Sequence, residues 1–471
     1  MGSGKYKTLT KNTLLFTISS IGTKLISFLL VPLYTFVLST EDYGTVDLMT
    51  TTISMLLPIL SVNVQDAVLR YSLEKKQNPE NVISVAMRII FMGSFLLACV
   101  LLVIQILGVF EISYEYLLFL WIHYTSNAIF NSLQMYLKAT DRVRVIVIAS
   151  IASTIVSCVL NIVLLLGFKM GVIGYLIALA SASIVSNFIC LFTNNTYKDI
   201  HLSYKNKELR NMMVAYCAPL ILNSLAWWIN SASDRYILTF FRGASSNGIY
   251  SVSYKIPTIL STLQTIFYNA WSVSAIKEFD KHDKDGFIGN IYSLYSCMSI
   301  IGCSFIMILN PFLARVLYAK DFYQAWQYVP ALLIGTVFNG LSLVEGCLFT
   351  AVKKTKTVSS TTLVGAAVNT ILNFILIYSI GIQGAAIATM AGYIVVWIVR
   401  TIKLNNHVIK MHVKWELQIL ALCLLIFQGV IATAHGFTIL QFLMLALIII
   451  IQFKFVREIL QMIIRKFNHS K

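Results

Sequence analysis

Fourteen mostly apolar stretches, each long enough to cross a bilayer, punctuate this 471-residue chain. A spanning helix needs about 20 such residues. The stretches run approximately 13–38, 45–69, 83–108, 115–137, 145–167, 172–193, 212–233, 246–270, 288–309, 330–352, 358–380, 385–404, 415–434 and 438–459. Composition agrees: 58% of residues are hydrophobic, the mean hydropathy is +0.77, and only 12% are charged. A soluble domain carries about 25% charge, so a soluble enzyme, a nucleic-acid binder and a disordered scaffold are all excluded. The first stretch is too long for a secretory signal core and lacks an Ala-x-Ala cleavage pattern, so it reads as the first span.

The cations then fix an orientation. Lys and Arg total 36 against 20 Asp and Glu, a net +16. With Lys5, Lys7 and Lys11 placed in the cytoplasm and the spans alternating, 29 of the 36 cations fall inside, five fall outside, and two remain within spans. That asymmetry is what the positive-inside rule expects of a correct span count, because one missed helix would put the downstream cations on the wrong side. Both termini are therefore read as cytoplasmic. The +16 is a topology code, and the two cations left within spans, Lys24 and Lys255, are its informative remainder. All eight cysteines fall in spans, where they read as small packing residues with no disulfide framework.

The sequence also repeats itself weakly. Leu160-Asn161 recurs as Leu372-Asn373, and Gly171-Val-Ile-Gly174 recurs as Gly381-Ile-Gln-Gly384. The basic connector from Ala139 to Arg144 matches that from Ala351 to Lys356. An even number of spans per half keeps the halves parallel about an axis along the membrane normal. The expected fold is an all-α polytopic membrane protein of 14 transmembrane helices. Helices 1–6 and 7–12 form two parallel six-helix lobes, and helices 13–14 are appended. Residues 1–211, 212–405 and 406–471 are the corresponding segments.

No soluble machinery is present. The loops are short, and zinc and nucleophile-elbow motifs are missing. Gly2-Ser3-Gly4-Lys5 fails as a phosphate loop because Tyr6 follows the lysine and no strand precedes it. No catalytic residue, metal site or organic cofactor is expected.

Polar residues within the spans are the candidate site. Lys24 lies near the middle of the first stretch, where a lysine costs about 2.5–3.5 kcal/mol on insertion scales and faces a wet cavity or a partner. Thr17, Ser20 and Ser27 share its face. Lys255 has Ser251, Thr258 and Thr262 at helical spacing. Stretch 2 contributes Ser54. Stretch 7 contributes Asn223, Trp227, Asn230 and Asp234, with Arg235 at its outer end. Such stripes also line ordinary helix–helix seams, and Asp234-Arg235 also reads as an interfacial ion pair. Asp66 and Glu345, toward the inner ends of their spans, are candidates for coupling to Na+ or H+, or partners for a lysine.

The run Ala218-Pro219-Leu-Ile-Leu-Asn223 through Asp234-Arg235-Tyr236, then Gly248-Ile-Tyr250-Ser-Val-Ser-Tyr254-Lys255-Ile256, resembles the polysaccharide biosynthesis flippases. So does Thr40-Glu-Asp-Tyr43-Gly44. These are Wzx-type O-antigen and repeat-unit translocases of the multidrug/oligosaccharidyl-lipid/polysaccharide (MOP) exporter superfamily. The resemblance implies a V-shaped pair of lobes, alternating access, and a cationic central cavity lined by helices 1, 2, 7 and 8. It implies an undecaprenyl-pyrophosphate-linked oligosaccharide as substrate, flipped to the outer leaflet of the bacterial cytoplasmic (inner) membrane. Lys24, Lys255 and Arg235 would meet the pyrophosphate, and Trp227, Trp228 and Trp271 would suit sugar. The expected surroundings are the lipid bilayer and the polymerase and chain-length regulator of the same pathway, with no nucleic acid. The protein is expected to work as a monomer. Three other readings stand beside it: a lipid II-type flippase, a cation-coupled drug exporter of the same superfamily, and a membrane polysaccharide polymerase. Two central lysines disfavour the exporter of cationic drugs, and short outer loops disfavour the polymerase.

Overall fold

A computed structural model describes residues 22–74, 76–108, 113–277, 279–280, 283–352, 354–433, 438–453, 455 and 457. Among them, helix is found in each of the fourteen expected stretches, and no strand is found. Ten helices are both long and apolar enough to cross a membrane. The first and last helices are shorter within the described residues. Two more, Tyr114–Ala139 and Pro257–Lys277, fall outside those ten, and both carry polar residues such as His123 and Asn127 or Thr258 and Gln264.

The chain divides into two compact units, Met1–Trp228 and Ile229–Lys471. Unit 1 contains α1 (Gly22–Val37), α2 (Thr40–Leu60), α3 (Val64–Ser72), α4 (Pro79–Leu107), α5 (Tyr114–Ala139), α6 (Val143–Asn161, continued as a π-type turn to Gly167), α7 (Gly171–Phe192) and the start of α8 (Lys207–Ser253). The division between the units falls inside α8, whose N-terminal part packs within unit 1. The Cys217 thiol donates to Asn63 O at 3.3 Å, and Trp228 Nε1 donates to Thr51 O at 3.0 Å.

Local chemistry explains the helix ends. Ser39 opens α2 with a capping box: its hydroxyl accepts from Asp42 N at 3.0 Å while the Asp42 carboxylate accepts from Ser39 N at 3.3 Å. The Thr40-to-Gly44 motif is thus in part a helix start, and Tyr43 is buried where its ring stacks on Tyr175 at 6.3 Å. Pro58 weakens the end of α2. Val62 and Asn63 then take left-handed φ of 55° and 51°, so stretch 2 is two helices, α2 and α3, and its polar face is broken at Ser61. Asn78 and Pro79 start α4, with Asn78 accepting from Glu80 N at 3.0 Å.

Each unit buries one set of positions and exposes another apolar set. On α4, Val82, Ala86, Ile90, Gly93 and Leu97 are buried, while Phe95, Leu102 and Ile106 are exposed. An exposed apolar face of this size belongs in lipid. In unit 1, α5 packs on α3, α4 and α7, and α6 runs beside α7.

Unit 2 contains the rest of α8, then α9 (Pro257–Lys277), α10 (Phe287–Leu317), α11 (Val329–Ala351), α12 (Thr355–Ile380), α13 (Ile382–His407), α14 (Trp415–Ala432) and α15 (Thr438–Ile451). Helix α11 is buried on nearly every side and is the centre of the unit, packed by α9, α10, α13 and α14. The appended helices α14 and α15 pack on α10. The Gln418 side chain bonds Ser296 there, and Gln428 accepts from Ser304 at 2.7 Å.

The internal repeat has a structural cause. Gly171 and Gly381 both stand at hairpin turns with left-handed φ of 56° and 62°. The second glycine of each repeat is a close-packing position. A side chain on Gly174 would press on Leu164, and one on Gly384 would collide with the Leu376 carbonyl. Asn161 and Asn373, the repeated asparagines, are both fully buried. A small-residue seam holds α12 to α13, where a Cβ on Gly392 would approach Asn369 Cβ at 2.9 Å.

Candidate functional sites in the two units

Unit 1 presents polar residues on an otherwise apolar surface. Lys24 and Ser27 are exposed on α1, and Ser54 is exposed on α2. Thr17 and Ser20 lie outside the described residues. Asn223 and Trp227 on α8 are exposed, Trp227 to 43%. Asp66 lies in the first turn of α3, where its carboxylate accepts from Asn63 Nδ2 at 2.5 Å. His123 bonds Ser183 across α5 and α7 at 3.3 Å, an inter-helix tie.

Unit 2 presents a similar surface on α9. Thr258, Thr265 and Asn269 are exposed, and Thr262 is half-buried. Lys255 is half-buried and does not lie within a continuous helix. It sits in the turn between Ser253 and Pro257, because Pro257 cannot continue the ladder. Two expected lining residues turn inward: Ser251 is 5% exposed, and Trp271 is buried with its indole donating to Val344 O at 3.2 Å. Nothing is described of the Asn230 side chain.

Asp234 is not on that surface either. It is 3% exposed and forms the hub of a buried cluster. One carboxylate oxygen accepts from Tyr250 at 2.5 Å, Thr389 at 3.3 Å and Tyr254 at 3.4 Å, and the other accepts from Arg235 N at 2.9 Å. Asn369 donates to Thr389 at 3.4 Å, and Asn373 donates to Asn369 at 3.0 Å. The Arg235 guanidinium lies 5.4 Å from the centre of the Tyr254 ring and donates to Ser231 O at 3.0 Å. The cluster joins α8, α12 and α13 through one carboxylate. Hydroxyl and amide oxygens around a carboxylate are also the donors a hard monovalent cation or a proton would meet. The sequence pointed to Asp234 but not to its partners. The signals were the i, i+4 pairs Tyr250/Tyr254 and Asn369/Asn373 in apolar surroundings.

A second buried cluster surrounds Glu345 on α11, which is 0% exposed. Its Oε1 accepts from Thr401 at 2.6 Å and from Tyr292 at 3.1 Å, and Tyr292 is fixed by the Trp397 indole at 2.9 Å. Its Oε2 has no hydrogen-bond partner among the described residues. Beside it, Arg400 is 3% exposed, buried among polar partners and not at an open surface. Its guanidinium donates to Ser342 O at 2.7 Å, Thr361 at 3.0 and 3.1 Å, Thr362 at 3.0 Å and Val358 O at 3.2 Å. It therefore bolts α13 to α11 and α12.

Two units of membrane-length helices, with polar surfaces on α1 and α9 and buried polar hubs, define a multi-pass membrane protein. The chain belongs to the polysaccharide biosynthesis protein family, whose model matches residues 9–271. Its fold is shared with two solved membrane proteins. A structure of the lipid II flippase MurJ in an inward closed conformation is similar with a TM-score of 0.71 and 15% identity, over 95% of this chain and 100% of that one. A multidrug resistance MATE family transporter of the MOP superfamily, in an inward-facing conformation, is similar with a TM-score of 0.61 and 13% identity, over 86% and 96% of the two chains. An uncharacterized membrane protein of Methanocaldococcus jannaschii is 24% identical over 219 residues, which are 43% of this chain and 41% of that relative. The match thus spans about two fifths of that curated relative's length.

Proposed function

We propose that this transporter moves undecaprenyl-pyrophosphate-linked oligosaccharide repeat units from the inner to the outer leaflet of the bacterial cytoplasmic membrane by alternating access, for surface polysaccharide synthesis. Membership of the polysaccharide biosynthesis family supports the substrate class. Two observations support the reading: the polar surface of α1 in unit 1, which carries Lys24, and the polar surface of α9 in unit 2, which Lys255 precedes. Hydroxyls and ammonium groups are costly against lipid and belong in a wet passage. A pyrophosphate cannot cross hydrocarbon unaided, and ammonium groups offset part of its lost hydration. Exposed Asn223 and Trp227 suit a sugar, by hydrogen bonding and by stacking. The prenyl tail stays in lipid. Coupling to Na+ or H+ falls to Glu345, whose Oε2 has no protein donor among the described residues, in preference to Asp66, whose carboxylate accepts from the Asn63 amide. The polymerase and chain-length regulator would act on the flipped product.

The test replaces Lys24 and Lys255 by alanine in a strain lacking the chromosomal copy. Each variant is expected to insert at the normal level. Losing one charged contact worth about 1.5–3 kcal/mol lowers the rate roughly 10- to 100-fold. Lipid-linked repeat units would then accumulate in the inner leaflet. Full complementation by both variants would overturn the cationic passage.

A further inference from the structure

Four cations converge at one end of unit 1, the end the topology places in the cytoplasm. Arg88 on α4, with Lys205 just before α8 and Lys207 and Arg210 at its start, lines a pocket of about 280 Å³. Arg88 donates to Tyr204 O at 2.9 Å and Arg210 to Asn211 Oδ1 at 3.3 Å, so both are aimed by neutral groups. No carboxylate pairs with any of the four among the described residues. Ile89, Met92 and Arg210 are shared with a second hollow of about 840 Å³, so the two form one continuous groove.

The larger hollow is apolar and open, walled by Ile59 and Leu60 from α2, Met92 and Leu96 from α4, and Val214 from α8. Met92 is 66% exposed and Leu96 53%. Its shape follows from the sequence. The break after Pro58 ends α2 early, and Gly93 lets α4 touch the Leu60 carbonyl, where any side chain would collide. From Arg88 to Leu96 the wall is about 12 Å long at 1.5 Å per residue. It therefore runs from a charged interface into hydrocarbon.

We propose that this groove binds an anionic phospholipid of the surrounding leaflet, with its phosphate against Arg88, Lys205, Lys207 and Arg210 and an acyl chain along Met92 and Leu96. Charge complementarity picks the occupant: the cations gather at the interfacial mouth, and the groove beyond Arg210 and Asn211 is apolar. The charged pocket has no aromatic face and no carboxylate in its lining, the groups that hold a sugar, so a plain phospholipid fits it better than a lipid-linked saccharide.

Native mass spectrometry of the purified full chain with dioleoyl-phosphatidylglycerol or dioleoyl-phosphatidylcholine tests this. The anionic lipid is expected to be retained preferentially. The double variant R88Q/R210Q is expected to lose about fivefold in that retention per charge removed, since each basic residue near an anionic surface contributes about that factor. The variant M92W fills the groove without touching the charges and is expected to lower retention of both lipids. Monodisperse elution of each variant shows that it is folded. Equal retention of the two lipids, or unchanged retention by R88Q/R210Q, would overturn the site. Displacement of phosphatidylglycerol by equimolar inorganic phosphate would reassign it to a free anion. Tighter retention of undecaprenyl pyrophosphate than of phosphatidylglycerol would reassign it to the polyprenyl carrier.

Discussion

Replacing Asp234 by alanine is expected to abolish transport and lower the yield of folded protein, whereas Asp234→Asn restores most of the yield but not the transport. The alanine leaves the hydroxyls of Tyr250, Tyr254 and Thr389 and the Arg235 amide without their shared acceptor. Each buried donor left unsatisfied costs about 1–3 kcal/mol, so the loss is a large share of a typical stability. Asparagine keeps the size and one carbonyl acceptor, but it removes the negative charge and turns an amide donor toward other donors. The packing then largely survives. A state change that needs a carboxylate between α8 and α13 does not. Thermal unfolding in detergent and complementation of a deletion strain separate the two effects. Wild-type transport by Asp234→Asn would make the cluster purely structural.

Arg400→Ala is expected to have the largest effect on folding alone. The guanidinium satisfies two backbone carbonyls and two threonine hydroxyls from α11 and α12, and it sits in the small space left by Gly346. Removing it strands several buried acceptors and opens a cavity, at a cost of about 3 kcal/mol or more. Arg400→Lys is expected to be nearly as damaging, because an ammonium cannot reproduce a planar fork aimed at acceptors on two helices. Fluorescence-monitored size exclusion of both variants measures the loss as a shift from the monodisperse peak to aggregate. A wild-type profile for Arg400→Ala would mean that α11, α12 and α13 are held by packing alone.

The helices were legible because hydropathy is a one-dimensional signal: a run of apolar residues either spans or it does not. The repeated Gly-x-x-Gly was legible for a related reason, since both of its glycines are required, one for a left-handed turn and one for close packing. Orientation within a helix was not legible. Ser251 and Thr258 share a stripe in the sequence, yet Ser251 turns into the core and Thr258 faces out. Lys255 reads as mid-helix by spacing, although Pro257 marks the break. Arg400 counts as a cytoplasmic cation by position, but the acceptors that bury it come from stretches some 40 and 60 residues away. Asp234 was found as a charge within a span, and its partner Thr389 lies 155 residues further on. Long-range polar pairing of this kind leaves no local pattern.

This chain is proposed to carry a lipid-linked oligosaccharide across the membrane. The most direct measurement is the leaflet distribution of undecaprenyl-pyrophosphate-linked repeat units in cells with and without the protein, read by their access to a sugar-modifying enzyme added from outside. They are expected to reach the outer leaflet in the wild type and to be trapped inside in the deletion, with normal total synthesis. An unchanged outer-leaflet fraction in the deletion would contradict it.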